Sequence, residues 1–240
     1  MERKRTVHVL DTPFSTVAWP QISQEDQDAI LELLCSLLAP LGAHRKAHVV
    51  PSKGRRRKQK LLSAGEEGSP AVPPAPDLAA HVDVGLAQIS RELEAMSSAK
   101  VEAPPEGTSE ANKVPNRPPY SVVFIARSGQ SSAFHCHFPQ MVAVASSSRP
   151  ADQAIRLVGF SAKGCDERLS AVLGIPRVSS IALRVDAPQT KGLLEFVRAR
   201  VAPVEIAWIN EAQSAKYRET KIEPVQTKVG PARVKRAKVS

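Results

Sequence analysis

The stretch YSVVFIARS, Tyr120–Ser128, is a run of β-branched and apolar residues with the composition of a buried strand. Around it the chain alternates between strand and helix patterns at intervals of roughly 10 to 20 residues. Further strands are predicted at IRLVGFS (155–161), SSIALRVDA (179–187) and PVEIAWIN (203–210), and helices at FPQMVAVASSS, GCDERLSAVLG and PQTKGLLEFVRARV. Pro139 is placed to open the first of these helices and Gly174 to end the second. The alternation indicates an α/β sandwich.

Two helices are predicted upstream of these strands. Ser23–Leu38 has Leu and Ile at helical spacing and opens with the near capping box SQED. Pro40 and Gly42 are expected to end this helix. A second helix is expected from Asp77 to Ser97, through the stretch HVDVGLAQISRELEAM.

Two stretches rich in Pro, Gly, Ser and Glu interrupt these patterns, at residues 62–76 and 101–116. Their few large apolar residues cannot bury enough surface to offset the entropy cost of folding, so both are predicted to be disordered insertions. They lie within one predicted domain, residues 19–209. An N-terminal extension, residues 1–18, precedes this domain, and a basic disordered tail, residues 210–240, follows it.

Positive charge is concentrated in two segments. Residues 44–64 carry a net +8 and residues 213–240 a net +6, so the formal +9 of the whole chain leaves −5 for the remaining residues. The densest run is SKGRRRKQK (52–60), whose basic residues are Lys53, Arg55, Arg56, Arg57, Lys58 and Lys60. Such a run favours binding to a polyanion or nuclear targeting over a merely solvated loop.

The three cysteines, Cys35, Cys136 and Cys165, are widely spaced and form no CxxC pair. That pattern indicates an intracellular chain with reduced thiols rather than a disulfide framework. No apolar run approaches the roughly 20 residues that a membrane-spanning helix needs. The N-terminal residues also lack the apolar centre of a secretory signal. No membrane partner is therefore predicted.

Motifs of known catalytic sites are missing from the sequence. It contains no GxSxG, HExxH or phosphate-loop pattern. His135 and His137, in the stretch HCH, are too few for a zinc site with three or four convergent ligands, and they fit a loop-to-helix junction. Cys165 lies near a predicted helix N-terminus without a candidate base, which fits a structural role. We therefore predict no catalytic residue, no metal and no cofactor.

The stretch VGLAQISRELE is more suggestive of binding. A helix N-terminus presents unpaired N–H groups and the positive end of the helix dipole to phosphate. Gln88 can hydrogen-bond a base edge, and Arg91 can bind a guanine or a phosphate through two hydrogen bonds. An ordinary surface helix would have the same pattern, so both interpretations stay open.

Several stretches, taken in order, resemble the fungal POP-three subunit of ribonuclease P and ribonuclease MRP. They are WPQIS with the Leu-rich helix after it, LGAHRKAH, SKGRRRK, VGLAQISRELE, VVFIARS, HCHFPQMVAVAS, IRLVGFSAKGCDERLSAVLG and APVEIAWI. The resemblance runs from Trp19 to Ile209. No single stretch is diagnostic, whereas the ordered set is fairly specific.

That family is similar to the ribosomal and ribonucleoprotein subunits that bind RNA kink-turns, which implies a three-layer α-β-α sandwich with a small mixed sheet. In that superfamily a G-x-N-E-x-x-K segment opens the RNA-binding helix, and Gly85–Arg91 corresponds to it here. Gly85 is kept, Gln88 and Arg91 are related substitutes, and Ala87 cannot replace the Asn hydrogen bonds. A second RNA-contacting loop corresponds to Lys163, Gly164, Arg168 and Leu169, with Ser170 in place of a glycine.

The resemblance implies a non-catalytic subunit in the nucleus, and there in the nucleolus, that binds ribonuclease P or MRP RNA and neighbouring protein subunits. Its role would be to support maturation of precursor tRNA and ribosomal RNA, with the RNA carrying the chemistry. The expected RNA-binding residues are the six basic residues of the run 53–60 together with Gly85, Gln88, Arg91, Lys163 and Arg168. Two alternatives stay open: another kink-turn-type small nucleolar or ribosomal RNA-binding protein, and a nuclear protein-interaction scaffold. An enzyme would need a convergent site that the sequence does not supply.

Overall fold

The computed structural model describes most of the chain. The described residues are 4–11, 17–48, 73–98, 117–147, 149–205, 207–208, 211 and 219–228. They belong to two compact units, the larger comprising Val17–Ile206 and the smaller Met1–Thr16 with Ala207–Ser240. The basic run 53–60, the predicted insertion 101–116 and residues 62–72 of the other insertion lie outside the described residues. Residues 73–76 have no regular secondary structure.

The described residues include six strands and five α-helices with defined bounds, besides the helical residues 207–208 and 211. In chain order these are β1 (Lys4–Asp11), α1 (Gln24–His48), β2 (Val82–Val84), α2 (Leu86–Ser98), β3 (Tyr120–Ala126), α3 (Phe138–Ser146), β4 (Arg156–Phe160), α4 (Cys165–Leu173), β5 (Ser180–Arg184), α5 (Lys191–Arg200) and β6 (Lys221–Lys228). The strands β3, β4 and β5 and the helices α3, α4 and α5 confirm the predictions for these stretches. Pro139 lies in the first turn of α3, and Gly174 ends α4 with a φ of +64°.

A four-stranded mixed sheet lies at the centre of the larger unit, in the order β2-β5-β3-β4. Strand β5 is antiparallel to both of its neighbours, whereas β3 and β4 are parallel, so β2, β3 and β4 run in one direction. Every residue of β3, β4 and β5 is buried. Strands of this kind need a covering layer on both faces of the sheet.

Helices supply both covering layers. On one face, α1, α4 and α5 pack against a core that includes Phe124 and Phe160. On the other face, α2 and α3 pack against a core that includes Val123 and Ile125. Neighbouring residues of β3 enter different cores because successive strand side chains point to opposite faces. The larger unit is therefore a three-layer α-β-α sandwich, which confirms the predicted fold class.

The helix predicted from Asp77 to Ser97 is wrong in its first half. Asp77–His81 is a 3-10 helix, β2 follows it, and the α-helix begins only at Leu86. Gly85 stands between strand and helix with a φ of +108°, in the left-handed region that favours glycine. This glycine lets the chain turn sharply from β2 into α2.

Strand β2 is held in the sheet by a buried polar network. Val82 and Val84 pack on the α1 face, while Asp83 accepts hydrogen bonds from Tyr120 and from Arg184 on the other face. Arg184 is only 1 % exposed. Burial and, after it, the Asp83 carboxylate raise the pKa of Tyr120 well above its usual range, so the phenol stays protonated and donates.

The strand predicted at residues 203–210 is also wrong. Residues 203–205 have no regular structure and residues 207–208 are helical. Strand β2 takes the fourth place in the sheet, beside β5. A short apolar run becomes a strand only where it finds a neighbouring strand and a face to cover, and composition alone does not show which run succeeds.

Helix α1 continues past its predicted end to His48. Pro40 lies inside it, on the exposed side, and removes one hydrogen bond from the helix. Packing against α4 keeps the following turns helical, because a Cβ atom on Gly42 would lie only 1.6 Å from the carbonyl oxygen of Val172. Gly42 is therefore a close-packing residue and not a helix stop.

Part of the predicted disordered tail is ordered, and so is part of the N-terminal extension. Strand β6 pairs antiparallel with β1, from Lys4 opposite Lys228 to Asp11 opposite Lys221. Lys221 Nζ lies 2.8 Å from a carboxylate oxygen of Asp11 and 2.8 Å from one of Glu223. Composition did not reveal this ribbon because its hydrogen bonds join residues about 210 positions apart.

Candidate nucleic-acid interface

Three turns of the chain lie at one end of the four-stranded sheet. Since β2, β3 and β4 run in the same direction, the residues that follow them, Gly85, Arg127 and Ser161, lie at the same end. Helices α2 and α4 both begin there, on opposite faces of the sheet. The predicted site residues Gln88 and Lys163 thus share one end of the sheet but not one face.

The start of α2 is open and carries no acidic residue. A Cβ atom placed on Gly85 would meet no atom within 4 Å. The Gly85 N–H is donated to Ser180 O, and the Gly85 carbonyl accepts the first hydrogen bond of the helix, from Ile89 N. The N–H groups of residues 86–88 precede that bond and have no partner within the helix. With no acid in the first turn, this helix start suits a phosphate.

Gln88 and Arg91 lie on the same side of α2, three residues apart. Arg91 is exposed and Gln88 is half-buried, while Ile89 and Leu93 hold the opposite side of the helix in the core. Ser90 lies between Gln88 and Arg91 in the sequence. Its Oγ is 3.4 Å from His137 Nε2, and this contact links the helix to the loop before α3. An amide and a guanidinium are therefore presented together beside the helix start.

A cluster of Trp19, Arg127 and His135 lies near the same end, on the α2 face. Arg127 Cζ is 4.6 Å from the centroid of the Trp19 ring, and the rings of Trp19 and His135 meet edge to face at 5.8 Å. Gly159 makes room for this stack, because a Cβ atom there would lie 2.7 Å from Arg127 Cδ and 2.9 Å from the Trp19 ring. Stacking on the indole fixes the plane of the guanidinium, which favours two-point binding of a phosphate.

The sequence interpretation did not identify this cluster, because it assigned the stretch HCH to a loop-to-helix junction and named no partner for it. Gly159, inside the β-branched strand β4, was the available signal, because a glycine within a strand often marks the close approach of another group. Its partners stand far from it in sequence, at positions 19 and 127. Only the fold identifies them.

His135 is buried at this cluster, 5 % exposed, and its Nδ1 has no hydrogen-bond partner in the structure. Burial lowers the pKa of the imidazole, and the charges of Arg127 and His137 lower it further. His135 ends a 3-10 helix and α3 begins at Phe138, which confirms the loop-to-helix junction. Among the described residues no group of three or more His, Cys, Asp or Glu could hold a metal ion.

The start of α4 also follows a glycine with a positive φ, but its first turn is acidic. Gly164 precedes α4 with a φ of +83°. Asp166 and Glu167 occupy the first turn, where they interact favourably with the helix dipole and repel phosphate. Lys163 is exposed beside them. This start is therefore a poorer phosphate site than the start of α2.

Cys165 closes the turn before α4. Its Sγ is buried and lies 3.3 Å from Ser128 Oγ, which is 2.6 Å from Ala162 O. The thiol is thus part of the packing between the loop after β3 and the loop after β4. This surrounding agrees with the predicted structural role.

Arg168, predicted to bind RNA, lies near α1 instead. Burial raises the pKa of the Cys35 thiol in α1, and the positive charge of Arg168 opposes that shift. Helix α1 covers the sheet face opposite to α2. The structure therefore does not bring Arg168 together with Gln88 and Arg91.

The six basic residues Lys53, Arg55, Arg56, Arg57, Lys58 and Lys60 lie outside the described residues. The chain is described up to His48 and again from Pro73. His44 Nε2 lies 3.0 Å from Pro73 O, and His44 lines a cavity with Val82 and Val84. Both ends of the segment that contains the basic run are therefore near the β2 edge of the sheet.

The sequence matches no protein-family model and no curated protein. No helix among the described residues is long and apolar enough to cross a membrane. The residues at this end of the sheet are therefore the basis for a functional assignment.

Proposed function

We propose that this chain is a non-catalytic RNA-binding subunit of a nuclear, nucleolar ribonucleoprotein of the ribonuclease P or MRP type. It would support maturation of precursor tRNA and ribosomal RNA by stabilising the shape of an RNA that carries out the chemistry. One observation carries the proposal: the start of α2 presents unpaired N–H groups, Gln88 and Arg91 on one accessible side, with no acid in the first turn.

The surroundings of α2 support structured RNA over a single strand. Arg127, oriented by Trp19, adds a second guanidinium on the same face of the sheet. Two guanidinium groups on one face, Arg127 held over Trp19 and Arg91 exposed on α2, suit the phosphates of folded RNA. Aromatic residues make up only 4 % of the chain, too few for a row of stacked bases.

The basic segments would add attraction that does not depend on sequence. Residues 44–64 carry +8, and each Lys or Arg that neutralises a phosphate releases counterions. The same run has the composition of a nuclear import signal. Phosphate binding and nuclear import are compatible roles for one segment.

The first experiment measures RNA binding by the full chain. We expect the tagged protein to co-purify with a structured RNA from the cells that express it. Arg91→Ala should weaken binding of that RNA by about 1–3 kcal/mol, because the variant has no guanidinium to donate two hydrogen bonds to the RNA. Arg198→Ala is the matched control, since Arg198 is an exposed arginine of α5, on the other face of the sheet.

A second experiment separates the basic run from α2. Changing Arg55, Arg56, Arg57 and Lys58 together to Ala should weaken binding to every RNA tested. The slope of log K against log salt should become shallower by up to about 0.9 for each phosphate that the variant no longer neutralises. If the RNA affinity and the salt slope are unchanged while nuclear import is lost, the run acts only as a nuclear import signal.

Two results would overturn the proposal. A full chain without RNA affinity at low salt would favour the nuclear scaffold alternative. A purified preparation that cleaves precursor tRNA without any RNA subunit would make the protein an enzyme. We expect RNA affinity and no cleavage.

A further inference from the structure

A second surface lies at the β2 edge of the sheet. There, the last turns of α1 and the strand β2 enclose an open cavity of about 260 Å³. Leu41, Val82, Val84 and Ile175 give it an apolar lining. Cofactor pockets are usually larger, about 300–1,000 Å³. This cavity has the size for one or two aliphatic side chains.

Strand β2 is an edge strand of the described sheet and lies beside this cavity. It pairs with β5 on one side, and no described strand pairs with its other side. The Gly85 N–H is donated to Ser180 O, on the β5 side. Backbone groups alternate between the two sides along a strand, so those of Val82 and Val84 point away from β5. An open edge of this kind is a template for an added strand.

The charges around the cavity are positive. Arg45 lines it and is exposed, and Lys46 follows in the last turn of α1. Asp83, the acidic residue of β2, is turned to the opposite face and bound by Arg184. Asp77 is an exposed acid in the 3-10 helix, whose neighbours Pro76 and Ala79 also line the cavity. Charge complementarity therefore selects an acidic ligand.

We propose that this surface binds an extended acidic segment of a partner protein. The segment adds a fifth strand beside β2, places a Leu- or Ile-sized side chain in the cavity, and sets its carboxylates against Arg45 and Lys46. RNA is a poorer occupant because the cavity has an apolar lining that suits an aliphatic side chain and not a phosphate. The proposal does not depend on RNA binding, since it uses none of the residues at the start of α2.

The test is selection of peptides on the immobilised full chain from a random-peptide phage library. We expect the enriched sequences to share a large aliphatic residue flanked by Asp and Glu. A synthetic peptide of the enriched sequence should shift the amide NMR signals of Val82 and Val84. Its affinity, measured by fluorescence anisotropy, should fall about tenfold or more in Arg45→Glu, since the charge interaction becomes repulsive. Arg198→Glu is the matched control and should bind normally.

Four results would overturn the proposal. They are a selection without enrichment, enriched peptides without acids, a peptide that binds Arg45→Glu as well as the unchanged protein, and signals that shift elsewhere than at β2. Loss of binding to a structured RNA in Arg45→Glu, without peptide enrichment, would assign the surface to RNA. Concentration-dependent dimers that Arg45→Glu abolishes would assign it to a second copy of the chain. Arg91→Ala should weaken RNA binding and leave peptide binding unchanged. The RNA-binding proposal and the peptide-binding proposal can therefore fail separately.

Discussion

Helices α2 and α4 begin at the same end of one sheet, each after a glycine in the left-handed region, and yet they offer a ligand different chemistry. The first turn of α2 is free of acids, whereas that of α4 contains Asp166 and Glu167. Space does not separate the two starts: a Cβ atom on Gly85 would meet nothing within 4 Å, and one on Gly164 would meet only Glu167 Oε2 at 4.0 Å, while the tight contact of α4 with α1 lies at Val172, near the other end of α4. The charge of the first turn, and not the backbone geometry, therefore decides which helix start suits an anion.

The tight packing of α4 predicts the largest effect. Gly42→Ala should destabilise the protein by about 3 kcal/mol or more, because its Cβ atom would collide with the backbone of Val172 and force α1 away from α4. Gly192→Ala, also in a helix but with no atom within 4 Å of the new Cβ, should gain at most about 1 kcal/mol. Denaturant unfolding measures both. Similar effects for the two variants would contradict the close approach of the two helices.

A substitution can give the first turn of α2 the negative charge that the first turn of α4 carries. Ala87→Asp should weaken RNA binding by about 1 kcal/mol, because the new carboxylate repels phosphate at the helix N-terminus. The thermal midpoint should stay the same or rise, since the dipole favours an acid there. Ala171→Asp, on the exposed side of α4, is the control for net charge. An equal loss of affinity in both variants would remove the special role of α2.

The start of α4 can be made neutral in turn. Asp166→Asn with Glu167→Gln should cost about 0.3–1 kcal/mol of stability per carboxylate, because the favourable interaction with the helix dipole is lost. RNA affinity should change less than in Ala87→Asp. Denaturant unfolding and filter binding measure the two quantities. A strong gain of RNA affinity would make the start of α4, with Lys163, part of the interface.

The smallest effect concerns pH. The pKa of His135 is lowered in the folded protein from its ordinary value of 6.5, so protonation favours the unfolded chain. The stability held by neutral His135 is present above pH 6.5 and is lost as the pH falls below it, toward the folded pKa. We expect the thermal midpoint to fall more steeply from neutral pH to pH 5 in the unchanged protein than in His135→Gln. A steeper fall in the variant would contradict the buried neutral histidine.

Much of the sandwich could be predicted from the sequence because β3, β4 and β5 are buried on both faces. Such strands are continuous apolar runs, and local composition identifies them. Strand β2 has only three residues, and Asp83 in its middle belongs there because Arg184, two residues beyond its cross-strand partner Ala182, binds its carboxylate. Pro40 is similar: tertiary packing at Gly42 overrides the local signal to stop α1.

The candidate site also has a part that could be predicted from the sequence and a part that could not. Gly85, Gln88 and Arg91 are neighbours in sequence, so helix geometry places them together before any fold is known. Trp19, Arg127 and Gly159 meet only after β3 and β4 pair. The proximity of Arg168 to Cys35 depends on the packing of α1 against α4, which no local pattern contains.

The pairing of β1 with β6 has a consequence for synthesis of the chain. Asp11 and Lys221 are 210 residues apart, so a ribosome that adds about 5–20 residues per second completes β6 about 10–40 s after β1. During that interval the sandwich can fold as a unit on the emerging chain, while the backbone N–H and C=O groups of β1 that pair with β6 have no partner strand. Translation that stops before Lys221 leaves β1 without β6, and an unpaired strand is a template for pairing with other chains.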